Sequence, residues 1–516
     1  MPMNTLKNGM PRDSKTVSLW QQGMQKPEFT IPPDFNKIYD VLIVGGGITG
    51  LTTALLLQKE GMNCILAEAY SIGYGTTGGT TAHINTYLDN SYDQITKDFG
   101  EEGAKLTAEA AREAISIVDE LVTLHQLKCG FEYKPGYLYA ETEQQVDQLL
   151  QTFEASLKAG VSVRSCDRIP IPAAFKKAIV YDGQAQIHPL KYITGLAEEF
   201  IKLGGVILEN TFIREHKFQD GRYTASSDAS TVQASKIVYA THIPPGINLL
   251  HFRNVPYRSY ALAIKIPDEK YPDALIYDMQ QPYHYFRTHQ IEDEKYLIVG
   301  GADHKTGHGD PEKAFKELEE YTRLLYPSCS VVHRWSAQYY EPADGLPYIG
   351  RLPGLNENIY TATGFSGNGI TLGSISGKIL SDLLLERSNK YEELFKPGRI
   401  KPIAGFTEFV KANADVMYHF INDRFTAEEI NPLIEFEPDS GGVIEFNGRQ
   451  LAVYKDAVGE LHILNAVCTH AKCIVSWNNS EKSWDCPCHG ARYDMEGRVL
   501  NGPARRGLQK IKFSEV

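Results

Sequence analysis

Asp40-Val41-Leu42-Ile43-Val44-Gly45-Gly46-Gly47-Ile48-Thr49-Gly50 is the stretch that decides the fold of the larger part of this chain. Its first five residues form an apolar, largely β-branched run, the pattern of a parallel strand buried on both faces. Gly45, Gly47 and Gly50 then give G-x-G-x-x-G. Leu51 to Lys59 reads as a helix and Gly61 ends it. Asn63-Cys64-Ile65-Leu66-Ala67 reads as a second strand, closing on Glu68, eighteen positions after Gly50. The glycines permit a tight turn and let the backbone approach a pyrophosphate at the helix N-terminus. Glu68 is placed to accept hydrogen bonds from a ribose hydroxyl. Strand, glycines, helix, strand and acid in this order predict a dinucleotide site built on Gly45, Gly47, Ile48, Thr49, Gly50 and Glu68.

This stretch alone does not choose between FAD and NAD. The C-terminal side of the same domain does. Asp344-Gly345-Leu346-Pro347-Tyr348-Ile349-Gly350 is followed by Ile359 to Gly373, which contains Gly364-Phe365-Ser366-Gly367-Asn368-Gly369-Ile370. Val238-Tyr239-Ala240-Thr241-His242 reads as a strand and turn. Gly75-Thr76-Thr77-Gly78-Gly79-Thr80-Thr81-Ala82 is a loop of small residues, and Gln186-Ile187-His188-Pro189 opens a helix. Together they resemble the D-amino-acid oxidase and glycine oxidase superfamily over residues 37–385. The resemblance implies FAD. It adds Thr76, Thr77, Thr80, Thr81, Ala240, Thr241, Gly364, Gly367, Asn368, Gly369 and Ile370 to the cofactor site. Most relatives have Ser where Thr77 stands. A helix N-terminus near Gly369 would stabilise the charge of a reduced flavin. The resemblance also implies an α/β, Rossmann-like FAD-binding domain (37–128, 186–250, 328–385). An α+β substrate domain (129–185, 251–327) is interleaved with it.

The C-terminal part carries a second pattern. Cys468-Thr469-His470 is C-x-H. Cys486-Pro487-Cys488-His489, after a fifteen-residue gap, supplies C-x-x-H. Two thiolates and two imidazoles in this order match a [2Fe–2S] centre in which one iron takes two Cys and the other two His. Zinc also takes two Cys and two His, but its fingers place both Cys before both His on a helix. Here each half carries one of each among strand and turn signals. The strings Cys468 to Cys473 and Cys486 to Ala491 resemble the cluster loops of Rieske proteins from respiratory and photosynthetic chains. That resemblance implies Cys468, His470, Cys486 and His489 as ligands and a disulfide between Cys473 and Cys488. The alternative for that last pair is two free thiols. It extends to Gly490, Tyr493 and Asp494, and to Gly502-Pro503-Ala504 as a loop covering the cluster. Ala491 stands where the family often has Ser. One donor to cluster sulfur is thereby lost, which lowers the potential. Tyr493 is retained. Neutral imidazoles raise the potential above that of four-thiolate clusters, so the centre accepts electrons readily.

With 516 residues, the chain needs two or three cores. A composition of 42% hydrophobic and 22% charged residues is globular, and a net charge of −12 disfavours nucleic acid. No apolar run reaches membrane-spanning length, and residues 1–36 read as a polar extension without a signal peptide. The expected location is cytoplasmic. The helix Thr407 to Arg424, with Phe409, Val410, Ala414, Val416, Met417 and Ile421 apolar, reads as a connector within a 386–430 linker. Short alternating strands then suggest a small antiparallel all-β Rieske domain over 431–516. Cys64, Cys129, Cys166 and Cys329 read as buried or incidental.

The substrate signal is thinner. Tyr283, Tyr285 and Arg287 alternate, so they share a strand face. In amine-oxidising relatives an Arg holds the substrate carboxylate, and Arg287 is the candidate here. Tyr285 joins it. His304 or Lys305 could relay a proton, whereas His83 reads as a core histidine. The first expectation is a dehydrogenase of an amine, amino acid or hydroxy acid. Its flavin would pass electrons one at a time through the Rieske cluster to an external electron-transfer partner. A reductase fed at the cluster and a redox-responsive binding protein share every cofactor motif. The sequence leaves the oligomeric state open.

Overall fold

Ile38–Val44 is a strand, and Val41 to Val44 are buried. It runs parallel to Cys64–Ala67 on one side and to Thr231–Tyr239 on the other. The computed structural model describes residues 15–22, 24, 27, 29, 34, 36–354, 358–399 and 436–511. The connector helix expected at Thr407 to Arg424 lies outside them.

The first sheet runs Tyr348–Arg351, Ile359–Thr363, Thr231–Tyr239, Ile38–Val44, Cys64–Ala67, Val206–Leu208. The hairpin Glu215–Gln219 and Arg222–Ser226 extends it from Thr231–Tyr239. Its central strands, Val41 to Val44 and Cys64–Ala67, are apolar and buried because helices cover the sheet, among them Ile48–Lys59, Pro189–Lys202 and Gly369–Leu384. His188 caps the second of these: its Nδ1 accepts Lys191 N–H at 3.2 Å, and Pro189 fills the first helical position.

The second sheet is mostly antiparallel. Its order is Ser330–Pro342, Asn254–Lys265, Glu294–Lys305, Tyr285–Ile291, Leu275–Asp278, Glu132–Ala140, Lys177–Gln186, His83–Ile84. Ser330–Pro342 pairs with Asn254–Lys265 along its whole length, so this sheet reaches past the expected limit at 327. Long pairing outweighs sequence adjacency to the flavin segment that follows. The N-terminal extension is also partly built in. Ser18 and Trp20 are buried, Ser18 Oγ donating to Gly78 O at 2.6 Å and Trp20 Nε1 to Thr80 O at 2.6 Å.

The C-terminal part holds two small antiparallel sheets. One is Ser440–Phe446, Arg449–Lys455, Leu461–Asn465; the other is Ser476–Asn478, Ser483–Asp485, Arg492–Asp494, Val499–Asn501. A buried ionic group fastens it to the second large sheet. Arg258 Nη2 meets Glu481 Oε1 at 2.5 Å, and Arg492 meets Glu481 Oε2 at 2.5 Å and Asp485 Oδ1 at 2.9 Å. Among the described residues no helix is long and apolar enough to cross a membrane.

Candidate functional site

One cavity gathers most of the predicted cofactor residues. Gly45, Gly47, Ile48, Thr49, Glu68, Thr76, Thr77, Thr80, Thr81, Ala240, Thr241, Gly367, Asn368, Gly369 and Ile370 all line it. Gly50 and Gly364 do not; they lie behind the wall. A Cβ on Gly50 would fall 1.9 Å from Gly45 O, so this glycine lets the helix start against the strand end. Gly45, at φ +113°, passes so close to Ala240 O that a Cβ would lie 2.4 Å from it. The first helical bond is Leu51 N–H to Gly47 O, and the Gly47 position carries no side-chain cap, so the first-turn donors other than Ile48 N–H are left for an anion. Glu68 accepts Gly46 N–H at 2.7 Å and Tyr70 N–H at 3.0 Å, which fixes its carboxylate at the strand end. Thr77 Oγ1 accepts Ile48 N–H at 3.1 Å, tying the small-residue loop to that helix. Trp335 Nε1, donating to Gly79 O at 2.8 Å, holds the loop from behind, as Trp20 does at Thr80. A backbone cradle with glycine at each close approach fits a dinucleotide.

The predicted substrate residues divide. Tyr285 lines the cavity, its Oη 2.9 Å from Ser259 Oγ and its ring over Gly300, where a Cβ would fall 2.0 Å away. Arg287 is corrected. It is fully buried beyond the cavity, Nη1 donating to Thr81 O at 2.9 Å, Ala82 O at 2.6 Å and Ile187 O at 3.1 Å. Its Nη2 sits 2.7 Å from His289 Nδ1 and its guanidinium lies over Trp20. The strand alternation was right about the face, but the face runs on beneath the cofactor loop. His304 is corrected too: it is outside the cavity, Nε2 2.7 Å from Tyr260 Oη and Nδ1 2.9 Å from Lys305 O. Lys305 is likewise not among the lining residues. His83, read as a core histidine, lines the cavity, and burial pushes its ring down to about 3.

Sequence reasoning missed Asp89 and the roles of Asp303 and Tyr339. Asp89 accepts Gly367 N–H at 2.6 Å from 278 positions away, and no local motif marks it. Tyr339 Oη donates to Asp303 Oδ2 at 3.0 Å. Burial pushes Asp89 up to about 6 and Asp303 to about 7.

The four cluster-ligand candidates also come together. Two similar knuckles carry them: Cys468 N–H donates to Cys473 O at 2.8 Å, and Cys486 N–H to Ala491 O at 2.8 Å. Cys473 and Cys488 are joined, S–S 1.99 Å. The rings of His470 and His489 lie 5.0 Å apart. Both ring nitrogens of His489 are buried with no hydrogen-bond partner among the described residues, and burial pushes the ring down to about 3. Neutral, otherwise unsatisfied imidazole is the form that ligates a metal. Hydrogen bonds from Cys486 and Tyr493 hold the Cys468 thiol below its usual range. Tyr493 Oη accepts Thr469 N–H at 3.3 Å, which leaves its own proton for Cys468 Sγ, 3.1 Å away. Ala491 is fully buried and offers no hydroxyl. This donor set fits two irons.

The two sites share a wall. Val499, Leu500, Asn501, Gly502, Pro503 and Ala504 line the dinucleotide cavity. Tyr340 Oη donates to His489 O at 3.0 Å, and Gln338 Nε2 to Gly490 O at 2.9 Å. His251, from the segment after the Thr231–Tyr239 strand, packs its ring 4.6 Å from His470 and 5.7 Å from His489.

A dinucleotide cradle beside a two-Cys, two-His centre defines an FAD-dependent oxidoreductase with a Rieske iron–sulfur centre. Residues 40–383 match the family model "FAD dependent oxidoreductase" and residues 430–512 match "Rieske [2Fe-2S] domain". The chain belongs to the FAD dependent oxidoreductases and carries a Rieske domain, so its cofactors are FAD and a [2Fe–2S] cluster. It is 35% identical to the putative Rieske 2Fe-2S iron-sulfur protein YhfW of Bacillus subtilis (strain 168), over 95% of this chain and 97% of that one. It is 23% identical to gamma-glutamylputrescine oxidoreductase of Escherichia coli (strain K12), over 68% of this chain and 85% of that one. Its flavin part is similar in fold to glycine oxidase from Geobacillus kaustophilus, with a TM-score of 0.59 and 18% identity over 70% of this chain and 99% of that one.

Proposed function

We propose that this chain dehydrogenates a small amine, amino acid or hydroxy acid and passes the electrons singly through its own Rieske cluster to an external acceptor. The observation that carries this reading is the shared wall: the loop Val499–Ala504 lines the cavity of the flavin domain while its neighbours hold the cluster ligands. Bound FAD supplies a two-electron acceptor, and the cluster supplies a one-electron outlet.

The chain's own residues have these roles. Glu68 and the glycine loop from Gly45 hold the dinucleotide, and Thr77 and Trp335 keep its far wall in place. Cys468 and Cys486 hold one iron, His470 and His489 the other, and the Cys473–Cys488 bridge ties their loops together. Tyr340 and Gln338 fix the second loop against the flavin domain. Fusion keeps the cluster at high effective concentration beside the flavin. His470 is only half-buried, with the exposed Ile247, Leu249 and Phe252 on the adjoining segment, which suits an external protein partner.

The test is anaerobic photoreduction of the flavin in the full-length protein, followed by EPR of the cluster. The cluster should become reduced as the flavin does. A fully reduced flavin beside an oxidised cluster would overturn the reading. A cluster that passes electrons to flavin but never receives them would favour the reductase.

A further inference from the structure

The charge in the cavity is one-sided. Glu68, Asp89 and Asp303 line it, and among the described residues no Lys or Arg does. Arg287 lies beyond the lining, its Nη1 on three carbonyls, so among the described residues no guanidinium faces the cavity. Two imidazoles also line it. His83 is kept neutral by burial, with the nearby Arg287 charge adding to the effect. His242 sits 3.2 Å from Thr76 Oγ1 with its ring edge-on to Tyr340.

The two aspartates differ in commitment. Asp89 accepts Gly367 N–H at 2.6 Å and Tyr283 Oη at 3.5 Å, so it shapes the turn. Asp303 accepts Tyr339 Oη on Oδ2 and has the Ser259 hydroxyl beside it, while its Oδ1 is buried with no partner within hydrogen-bond distance among the described residues. A buried carboxylate oxygen without a donor is costly unless a ligand supplies one. Tyr277, Tyr283, Tyr285 and Tyr339 line the same space. Aromatic faces and a carboxylate together receive a cation. A substrate carboxylate would instead be buried near two aspartates with no cationic partner, which is strongly unfavourable.

We propose that the cavity takes a carboxylate-free aliphatic amine, with its ammonium held by Asp303, and discriminates against amino acids. This rests on the reading of the cavity as the flavin's substrate site. The ammonium gives one proton to Asp303. The α-carbon then loses its hydrogen with two electrons to bound FAD, and the amine leaves as an iminium. Water adds to the iminium to give an aldehyde and ammonium, and Asp303 gives its proton to solvent. The two electrons leave singly for the one-electron acceptor while the remaining proton also passes to solvent.

The test uses full-length holoprotein with butylamine, butane-1,4-diamine and 4-aminobutyrate. Each is titrated against the flavin absorption spectrum and then mixed anaerobically to follow flavin reduction. The two amines should bind and reduce the flavin, with 4-aminobutyrate at least tenfold weaker in both. Asp303→Asn should weaken amine binding at least tenfold without changing the flavin or cluster spectra. Asp303→Glu should recover part of that loss. Binding of 4-aminobutyrate or α-amino acids as tight as that of the amines would overturn the proposal. So would failure of both amines, or an Asp303→Asn variant with unchanged affinity. None of these touches the wider reading, which fails if photoreduced flavin leaves the cluster oxidised.

Discussion

Arg258→Met should loosen the Rieske domain from the flavin domain while leaving both cofactor sites intact. Arg258 and Glu481 form a pair across the interface, with side chains 1% and 0% exposed. Removing one partner of a buried pair costs about 3–5 kcal/mol, because the remaining charge keeps its burial and loses its compensation. Glu481 retains Arg492 on Oε2 and Asn478 Nδ2 at 3.0 Å, so the lower end, about 3 kcal/mol, applies. At about 1.4 kcal/mol per decade, the interface should open roughly a hundredfold more often. The Lys15 amide reports this directly, since it donates to Glu481 O across the interface at 3.0 Å. Its hydrogen exchange should accelerate by about two orders of magnitude. Flavin-to-cluster electron transfer should slow as the docked fraction falls, while both absorption spectra stay unchanged. Arg258→Lys should recover only part, because an ammonium lacks the planar fork. Exchange at Lys15 as slow as in the parent would refute the claim that this pair holds the interface.

Tyr493→Phe removes the hydroxyl 3.1 Å from Cys468 Sγ. If about 1 kcal/mol of that bond strengthens on reduction, the cluster's midpoint potential falls by about 40 mV, read by EPR-monitored titration. Trp20→Ala removes a side chain 1% exposed that holds the cofactor loop at Thr80. It should cost about 3–5 kcal/mol in denaturant unfolding and release FAD more readily. Asp89 and Asp303 are raised by burial to about 6 and about 7. Each therefore takes up a proton on folding between about pH 4 and 7, but burial also pushes His83, His188, His251 and His289 down to about 3 or below, and these release protons on folding in the same window. The histidines outnumber the aspartates, so without substrate stability should rise with pH from about 4 to about 6, and the rise should steepen in Asp303→Asn, which removes an opposing proton uptake.

Much of the cofactor geometry could be read from local sequence, because each part is a short segment with its own chemistry. The strand at Val41, the glycine turn and Glu68 are contiguous, and the two Cys–His pairs each sit in one knuckle. The substrate end was harder. Arg287 lies on the predicted face of its strand, yet a strand face runs past the cavity and beneath the loop at Thr81. The aspartates of the site gain their meaning from distant partners, Asp89 from Gly367 and Asp303 from Tyr339. Periodicity says which side a residue takes but not what the chain folds over it. The same holds for Trp20, which looked like part of a polar extension and is buried under the cofactor loop. The docking of the Rieske domain was not legible either, because Arg258 and Glu481 are 223 positions apart and neither lies in a motif.

The central claim is that electrons cross from flavin to cluster within one chain. Rapid freeze-quench EPR, run beside stopped-flow absorption after mixing with a reducing substrate, tests it most directly. The account predicts a Rieske signal that grows with the same rate constant as flavin oxidation state changes, independent of protein concentration. A signal that lags and scales with concentration, or that never forms while the flavin is fully reduced, would contradict it.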